Sequence, residues 1–517
     1  MALALIALAI SAKHLNEPPA YIHAWSQADN YSLALGFLKG GDLLHPQTLI
    51  FNKQQNDNEI PLTTTTACDL PLHHYIVSLL MRLTGSTQPW VFRGWTLTVV
   101  IVGLWLLYVL AWVLTHSRLW ALLVTAVCAT APSFAYYSTA FLPTVPALVC
   151  AIAGLTAYVL HLRFEPQGGK WLWVALAMLT LSMLQRTSLA VLWIAVACFH
   201  FLRLLRKETS WRRTWLPFAT GAVVFVAYYL WNSHLRNENG SLFLASILPA
   251  HNSEHALDIL QDVHDRWRFH YFQRSQHWLA VLLIVAVVVL EIMRRNPKHE
   301  GPISLWWLVA IWFFGELLFV VAMSAQFRDH DYYFLDSLFL PIVFSMALLT
   351  AELPALKGRA VQMAGGTAVV ALVVLMTFQA IRMQDVRRQE GVEALNTAVA
   401  YKSANRLLAQ AGVDDNAHLL ALFAYPQTTP FCMMNREGYV VMWTNPEVVA
   451  HALTFPYDYI IIEDNSFREC FNEAPVLSRL QRLAGNGLLS LCLLSDSTLN
   501  PTPDIFFQRG TNYGIDQ

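Results

Sequence analysis

Apolar residues along this chain come in two rhythms. Up to about residue 382, long and nearly unbroken apolar runs recur, and several reach the roughly 20 residues a helix needs to cross a bilayer. Runs at 1–13, 95–115, 119–134, 143–161, 171–184, 187–205, 215–232, 277–293, 304–323, 334–350 and 361–382 predict eleven spans. The first lacks a basic start and an Ala-x-Ala-like cleavage site, so it reads as a short span rather than a signal peptide. After residue 383 the runs shorten. LLALFAY (419–425), YVVMW (439–443), YDYIIIED (457–464), LLSLCLL (488–494) and DIFFQ (504–508) read as strands. Residues 391–411 and 474–484 read as helices, and Asn445-Pro446-Glu447 reads as a helix start with a cap, a proline in the first turn and an early acid. The predicted fold class is a polytopic α-helical membrane protein of about eleven spans, residues 1–383, followed by a small α/β domain, residues 384–517.

Between the first two spans lies a large loop, 14–94. It contains HAWSQADNYSLALGFLKGGDLLHP (23–46), where Trp25, Ala28, Leu33 and Phe37 recur at roughly helical spacing. That pattern predicts a helix lying flat along the membrane–water boundary, its apolar face in lipid, with Asp29 held at the surface.

Composition fits this picture. Of 517 residues, 56% are hydrophobic and only 13% charged, about half the charged share of an ordinary soluble domain. Basic residues collect in one set of alternate loops: Arg118; Arg163 and Lys170; Arg203, Arg206, Lys207, Arg212 and Arg213; Arg294, Arg295 and Lys298; Lys357 and Arg359. The positive-inside rule makes these loops cytoplasmic. The first loop, the 234–276 loop and the tail then face outward. The formal net charge is −1, and no basic patch points to nucleic acid. Cys68, Cys432, Cys470 and Cys492 fall on the outward side, where disulfides persist. A Cys432–Cys470 bridge is one of several open pairings, because spacing does not decide connectivity. Cys128, Cys150 and Cys198 fall in spans as packing residues. The tail has no Gly-rich phosphate loop, and the chain shows no internal repeat.

Residues able to carry chemistry cluster at the outward boundary. Asp29 is either a solvated charge near a helix start or a general base. TACDLPLHHYIVSLLMRLTG (66–85) adds Asp69, which precedes Leu-Pro and so sits in an extended or turn segment. His73 and His74 follow on a helix. They do not share a helix face, so interfacial packing or lining of an acceptor-side cavity accounts for them better than metal ligation. Arg93 opens the second span and Arg186 lies where the fifth and sixth meet. Either can snorkel or clamp a phosphate through paired hydrogen bonds. The readings stand level for Arg93, while the cost of polar groups in apolar surroundings tilts Arg186 toward phosphate. QFRDHDYYFLDSLFLP (326–341) packs Arg328, His330, Asp331, Tyr332 and Tyr333 into one mouth-like segment. Interfacial tyrosines are ordinary anchors, but the dense His/Asp/Arg run reads as a polar site.

The order of these motifs resembles a family. An outward acid follows the first span, Asp69-Leu70-Pro71-Leu72 leads into an aromatic-containing helix, and Arg93 opens the next span. Tyr136-Tyr137 and Leu142-Pro143 follow the third, and His330-Asp331-Tyr332-Tyr333 opens a late span. Together, over about residues 14–350, they resemble the bacterial membrane glycosyltransferases of the GT-C superfamily. The branch most alike is the protein-mannosyltransferase-like and aminoarabinose-transferase-like one, glycosyltransferase family 39 and relatives.

The resemblance implies transfer of a sugar from a polyprenyl-phosphate donor to a glycolipid, glycan or protein acceptor on the outer face of a bacterial inner membrane. It implies that Asp29 is the catalytic base and that Arg93 and the 328–333 segment lie near the donor. One departure stands out. In STAFLPTVPALV (138–149), Thr144 occupies a place where many relatives carry an acid. Either Asp69 supplies the second carboxylate or the site works with one. Hard cations prefer several carboxylate oxygens, so this departure argues for metal-independent activity, with a divalent metal as the alternative. The rival readings are a lipid-linked glycan ligase or polymerase, a transporter or flippase, and a scaffold. Transporters place ionisable residues near the midplane, often within repeats, unlike the pattern here.

Overall fold

In the computed structural model, residues 1–52, 62–241, 247–293, 304–353, 358–442, 446–465 and 479–495 are described. Among them, seven helices are long and apolar enough to cross a membrane: Pro89–Thr115, Thr144–Phe164, Thr187–Leu205, Trp211–Asn239, Arg274–Met293, Leu305–Ala322 and Arg359–Arg387. Four shorter apolar helices, Ala2–His14, Arg118–Thr130, Lys170–Gln185 and Phe339–Ala351, join them. Each predicted span falls on one of these helices, as a multi-pass membrane protein requires. In hydrocarbon the backbone has only its own carbonyls to bond, so an apolar run of this length becomes a helix.

By its contacts the chain divides into two units. The first comprises residues 1–16, 92–231 and 245–387 and is a helix bundle. Its Thr144–Phe164 and Lys170–Gln185 helices touch closely because Gly154 has no side chain. A Cβ there would lie 2.6 Å from Leu179 Cγ and 3.0 Å from the Ala175 carbonyl oxygen. Buried amides tie other helices together. Gln273 Nε2 donates to the Thr130 carbonyl at 2.6 Å and Gln276 Nε2 to the Val127 carbonyl at 2.9 Å. Such bonds contribute about 0.6–2 kcal/mol each in an apolar bundle.

The second unit comprises residues 17–91, 232–244 and 388–517, so the large first loop folds with the tail. Its centre is a five-stranded sheet of order β2-β1-β3-β5-β4, with β1 Leu419–Leu422, β2 Gly438–Val441, β3 Tyr459–Glu463, β4 Leu480–Gly485 and β5 Leu489–Leu494. β1 pairs in parallel with β2 and β3, whereas β5 runs antiparallel to both β3 and β4. Leu420, Leu422, Tyr439, Ile460 and Ile462 form the core, and Phe51 of the first loop packs into it. Phe51 N donates to the Gly438 carbonyl at 3.1 Å, which stitches the loop to the sheet. Gly391 has φ +72°, and a Cβ there would lie 2.5 Å from the Tyr21 carbonyl oxygen, so only glycine fits where the tail begins.

Four of the predicted strands fall on β1, β2, β3 and β5, and the helix start at 445–447 leads into the helix Pro446–Ala452. The 391–411 helix is two, Val392–Lys402 and Ala404–Gln410. The predicted helix at 474–484 is corrected: residues 480–485 are β4. Asn486 and Gly487 follow it directly, a turn signal between two apolar runs that marks a hairpin. Gly487 takes φ +85°, and the Asn486 side chain accepts from Leu489 N at 2.8 Å. The strand expected at 504–508, Asn445 and Cys470 lie outside the described residues, and Cys432 carries a free thiol. The first-loop helix forms at Ala24–Gly36, but its apolar face does not lie open to lipid. Ala28, Leu33 and Phe37 are buried in protein, and only Trp25 is exposed.

Candidate functional site

Asp29 sits midway along the Ala24–Gly36 helix, which packs against the helices Leu72–Thr84 and Thr429–Met434. The second of these comes from the tail. Thr428 stands in its cap position but does not cap it. Instead its hydroxyl donates to Asp29 Oδ1, and the Trp25 side chain also hydrogen-bonds the carboxylate. Cys432, one turn further on, sets its thiol 3.4 Å from the Ala28 carbonyl oxygen. Asp29 is half-buried. Loss of hydration pushes its pKa up to about 6, against the opposing pull of the Thr428 and Trp25 hydrogen bonds. A carboxylate in this state is ionised at neutral pH yet more basic than a free aspartate, which suits a general base. Burial, then the Asp29 charge, pushes the Cys432 thiol well above its ordinary range, so it is an un-ionised neighbour rather than a nucleophile.

The other residues singled out in the first loop lie in the same unit. His73 and His74 are both buried on the Leu72–Thr84 helix, their rings 5.7 Å apart. Burial holds both imidazoles neutral, His74 at about 3. His74 Nε2 meets Asn30 Oδ1 at 2.8 Å, which fixes the residue beside Asp29. Asp69 is buried in the turn before that helix, whose cap position is Pro71.

The predicted donor-side residues lie in the other unit and separate into three places. Arg93 is buried; its Nη1 donates to the Thr139 carbonyl at 2.7 Å and its guanidinium lies 4.4 Å from the centre of the Phe141 ring. Arg186 meets Asp336 through Nε at 3.0 Å and through Nη2. The same guanidinium faces the Tyr332 and Tyr333 rings at 5.5 and 6.0 Å. Thr144, buried at the start of its helix, lies beside the Asp336 carboxylate. The Asp336 carboxylate comes from the segment between the Tyr332–Leu335 and Phe339–Ala351 helices.

The 328–333 segment points in opposite directions. Arg328 is exposed and pairs with Asp262 at 2.5 Å, while the His330 ring packs near Tyr332 and Tyr333. Asp331 is fully buried. Its Oδ1 accepts from the Tyr137 hydroxyl at 2.5 Å and its Oδ2 from Arg387 at 2.7 Å. Arg387 also reaches His270 Nδ1 at 3.1 Å and lies 4.5 Å from the centre of the Tyr136 ring.

Thr428, Asp336 and Arg387 escaped the sequence reading. Each is defined by a partner more than 50 residues away. The one local hint was a threonine before Thr-Pro at a helix start. Among the described residues, no three His, Cys, Asp or Glu side chains converge as a metal site.

Residues 68–231 match the family described as dolichyl-phosphate-mannose-protein mannosyltransferase. No curated protein sequence matches the chain. Several solved structures resemble it. An oligosaccharyltransferase from Archaeoglobus fulgidus, in the apo form, is 11% identical with a TM-score of 0.50, over 90% of this chain and 69% of that one. The arabinofuranosyltransferase AftD from Mycobacteria is 12% identical with a TM-score of 0.55, over 96% of this chain and 41% of that one. ArnT from Cupriavidus metallidurans bound to undecaprenyl phosphate is 11% identical over 97% of this chain and 99% of that one, with a TM-score of 0.49. At such identities the likeness is one of fold. The resemblance to GT-C membrane glycosyltransferases is borne out by the family match over 68–231 and by that shared fold.

Proposed function

We propose that this chain is a GT-C-type glycosyltransferase. It moves a sugar from a polyprenyl-phosphate carrier to an acceptor hydroxyl on the outer face of a bacterial inner membrane. The observation that carries the reading is Asp29: a half-buried carboxylate raised to about 6 and oriented by Thr428 from the tail. A merely decorative surface acid needs neither feature.

The chemistry then runs as a single displacement. Asp29 takes the proton of the acceptor hydroxyl as its oxygen bonds the anomeric carbon. The bond from that carbon to the carrier phosphate breaks, and its electron pair leaves on the phosphate oxygen. The configuration inverts. No nucleotide is required, because the phosphate is already the leaving group. Within the helix bundle, and apart from that step, we propose that Arg186 binds the carrier phosphate, since a guanidinium offers paired donors to phosphate oxygens. In the resting protein its carboxylate partner is Asp336. Thr144 stands where a further carboxylate would help hold a hard cation, and we propose that activity persists in chelator.

The test is mass spectrometry of polyprenyl-phosphate lipids from cells carrying the wild-type or Asp29→Asn protein. Build-up of one sugar-bearing carrier in the variant supports transfer and identifies the donor. Identical lipid profiles, with both proteins folded and present at equal levels, would move the reading to a transporter or a scaffold.

A further inference from the structure

A second polar cluster lies inside the helix bundle, at the end that carries the basic loops. The Thr144–Phe164 helix brings Tyr158 and His161 to one face, three residues apart. The Ala190–Leu205 helix does the same with His200 and Arg203. The rings of His161 and His200 lie 6.0 Å apart, and the Tyr158 hydroxyl is 3.3 Å from His200 Nδ1. Thr209, in the turn after the second helix, is buried next to Glu208 in sequence, whose carboxylate accepts from Arg203 Nε. All five side chains are at least 93% buried: Tyr158 and His161 are 0% exposed, His200 2%, Arg203 5% and Thr209 7%.

Their bonding is incomplete. Both nitrogens of His161, Nε2 of His200, Nη1 of Arg203 and Oγ1 of Thr209 have no hydrogen-bond partner among the described residues. Leaving one such group unpaired costs about 1–3 kcal/mol. Four such atoms on His161, His200 and Arg203, with a fifth on Thr209 in the turn that follows, make a costly arrangement for packing alone. The nearby carboxylates are already engaged: Glu208 accepts from Arg203 Nε at 3.1 Å, and Glu165 accepts from Trp171 N at 3.1 Å.

The chemistry of the open groups selects the ligand. Arginine Nη and the threonine hydroxyl donate, and each imidazole offers at least one N–H. Such a set matches an oxyanion with several acceptor oxygens. A metal is a poor match, because only two histidines and no free carboxylate face the cluster. Arg163, Lys170, Arg206, Lys207, Arg212 and Arg213 are exposed around it, and a basic rim of this kind draws anions toward a buried receptor. We infer that His161, His200, Arg203 and Thr209 form a binding site for a phosphate group at the basic end of the bundle, remote in sequence from Asp29 and separate from the proposed transfer chemistry. The phosphate belongs either to an anionic phospholipid headgroup, which basic residues beside a membrane attract, or to free phosphate in solution.

The experiment uses the full chain, delipidated in a neutral detergent. Native mass spectrometry with added phosphatidylglycerol or phosphatidylcholine reads headgroup binding, and thermal unfolding with inorganic phosphate reads the free anion. A headgroup site predicts at least tenfold stronger retention of phosphatidylglycerol, reduced about tenfold in Arg203→Gln and Thr209→Val. A free-anion site predicts stabilisation by inorganic phosphate, lost in the same variants, without headgroup preference. Thr209→Val is nearly isosteric and leaves the bundle packing intact, so it answers if Arg203→Gln fails to fold. Absence of both responses in the wild-type protein, or responses that survive Thr209→Val unchanged, would overturn the proposal and leave the cluster as a hydrated polar core.

Discussion

The Thr428 hydroxyl donates to Asp29 Oδ1 across 399 residues of sequence. The tail therefore holds the candidate base of the first loop directly. A donor on a carboxylate favours the ionised form, so Thr428 works against the burial that raises Asp29. Thr428→Val removes the donor while keeping the shape. The acid limb of the pH–rate profile should then move to higher pH, by up to about one unit for a bond of about 1 kcal/mol. Activity at pH 6.5 should drop about two- to three-fold and recover at pH 8. Thr428→Ser should restore the wild-type profile. A loss of rate equal at every pH would mean that Thr428 serves only to hold the tail in place.

Asp29 itself ties activity and stability to pH in opposite senses. As a base it must be ionised, so kcat/KM should fall as pH drops through about 6. Its folded pKa is raised above the ordinary 3.8, so the folded protein holds the extra proton between those values. The stability this contributes is fully present below about 4 and is lost as pH rises through about 6. Asp29→Asn never carries the charge and escapes that loss. It should have a Tm equal to or above wild type at pH 8, an advantage that vanishes by pH 4. Its turnover should be about 10²–10⁴-fold lower above about pH 7, the usual range for a positioned base, with the gap narrowing as wild-type Asp29 is protonated. Thermal unfolding of both proteins across pH, beside a turnover assay, checks both halves. Full turnover in Asp29→Asn would remove it as the base.

Asp331 and Arg387 form an ion pair in which both side chains are 0% exposed. Removing one partner strands a buried charge, a loss of about 3–5 kcal/mol. Arg387→Met and Asp331→Leu should each lower the Tm of the detergent-solubilised protein by several degrees. The double variant Asp331→Leu with Arg387→Met should recover much of the loss, because both charges are then gone. Additive losses in the double variant would show that the two residues do not act as a pair.

The spans were legible because hydrocarbon imposes one answer on an apolar run of sufficient length. β1, β3 and β5 were legible for a related reason: their short β-branched and leucine-rich runs end in turn residues. Residues 480–485 were misread because RLQRLAGNG carries apolar residues at a spacing compatible with either state. The Asn486-Gly487 turn, and not the periodicity, decided it. The candidate site was legible one residue at a time but not as pairs. Asp29 shows in the sequence as an acid beyond a span, yet nothing local points to Thr428. Arg328 and Asp331 read as one cluster, but the chain turns Arg328 out toward Asp262 and Asp331 in toward Arg387. Side-chain direction on short helices depends on tertiary neighbours that the local sequence does not encode.

Arg186 offers the sharpest separation of a binding role from a structural one. Its guanidinium is mostly buried and engages the fully buried Asp336. If its whole role is to neutralise that carboxylate, Arg186→Gln alone should be damaging and Arg186→Gln with Asp336→Asn should regain both stability and activity. If it also binds the carrier phosphate, stability should return in the double variant while kcat/KM for the donor stays down. A deficit of about 10–100-fold is expected from one charge-assisted contact of about 1.5–3 kcal/mol, read mainly as a higher KM for the donor. Arg186→Lys should fall between, because one ammonium cannot reproduce the planar fork that serves a carboxylate and a phosphate together. Full recovery of donor kinetics in the double variant would reduce Arg186 to a counter-ion, and the phosphate-binding role would pass to another cation.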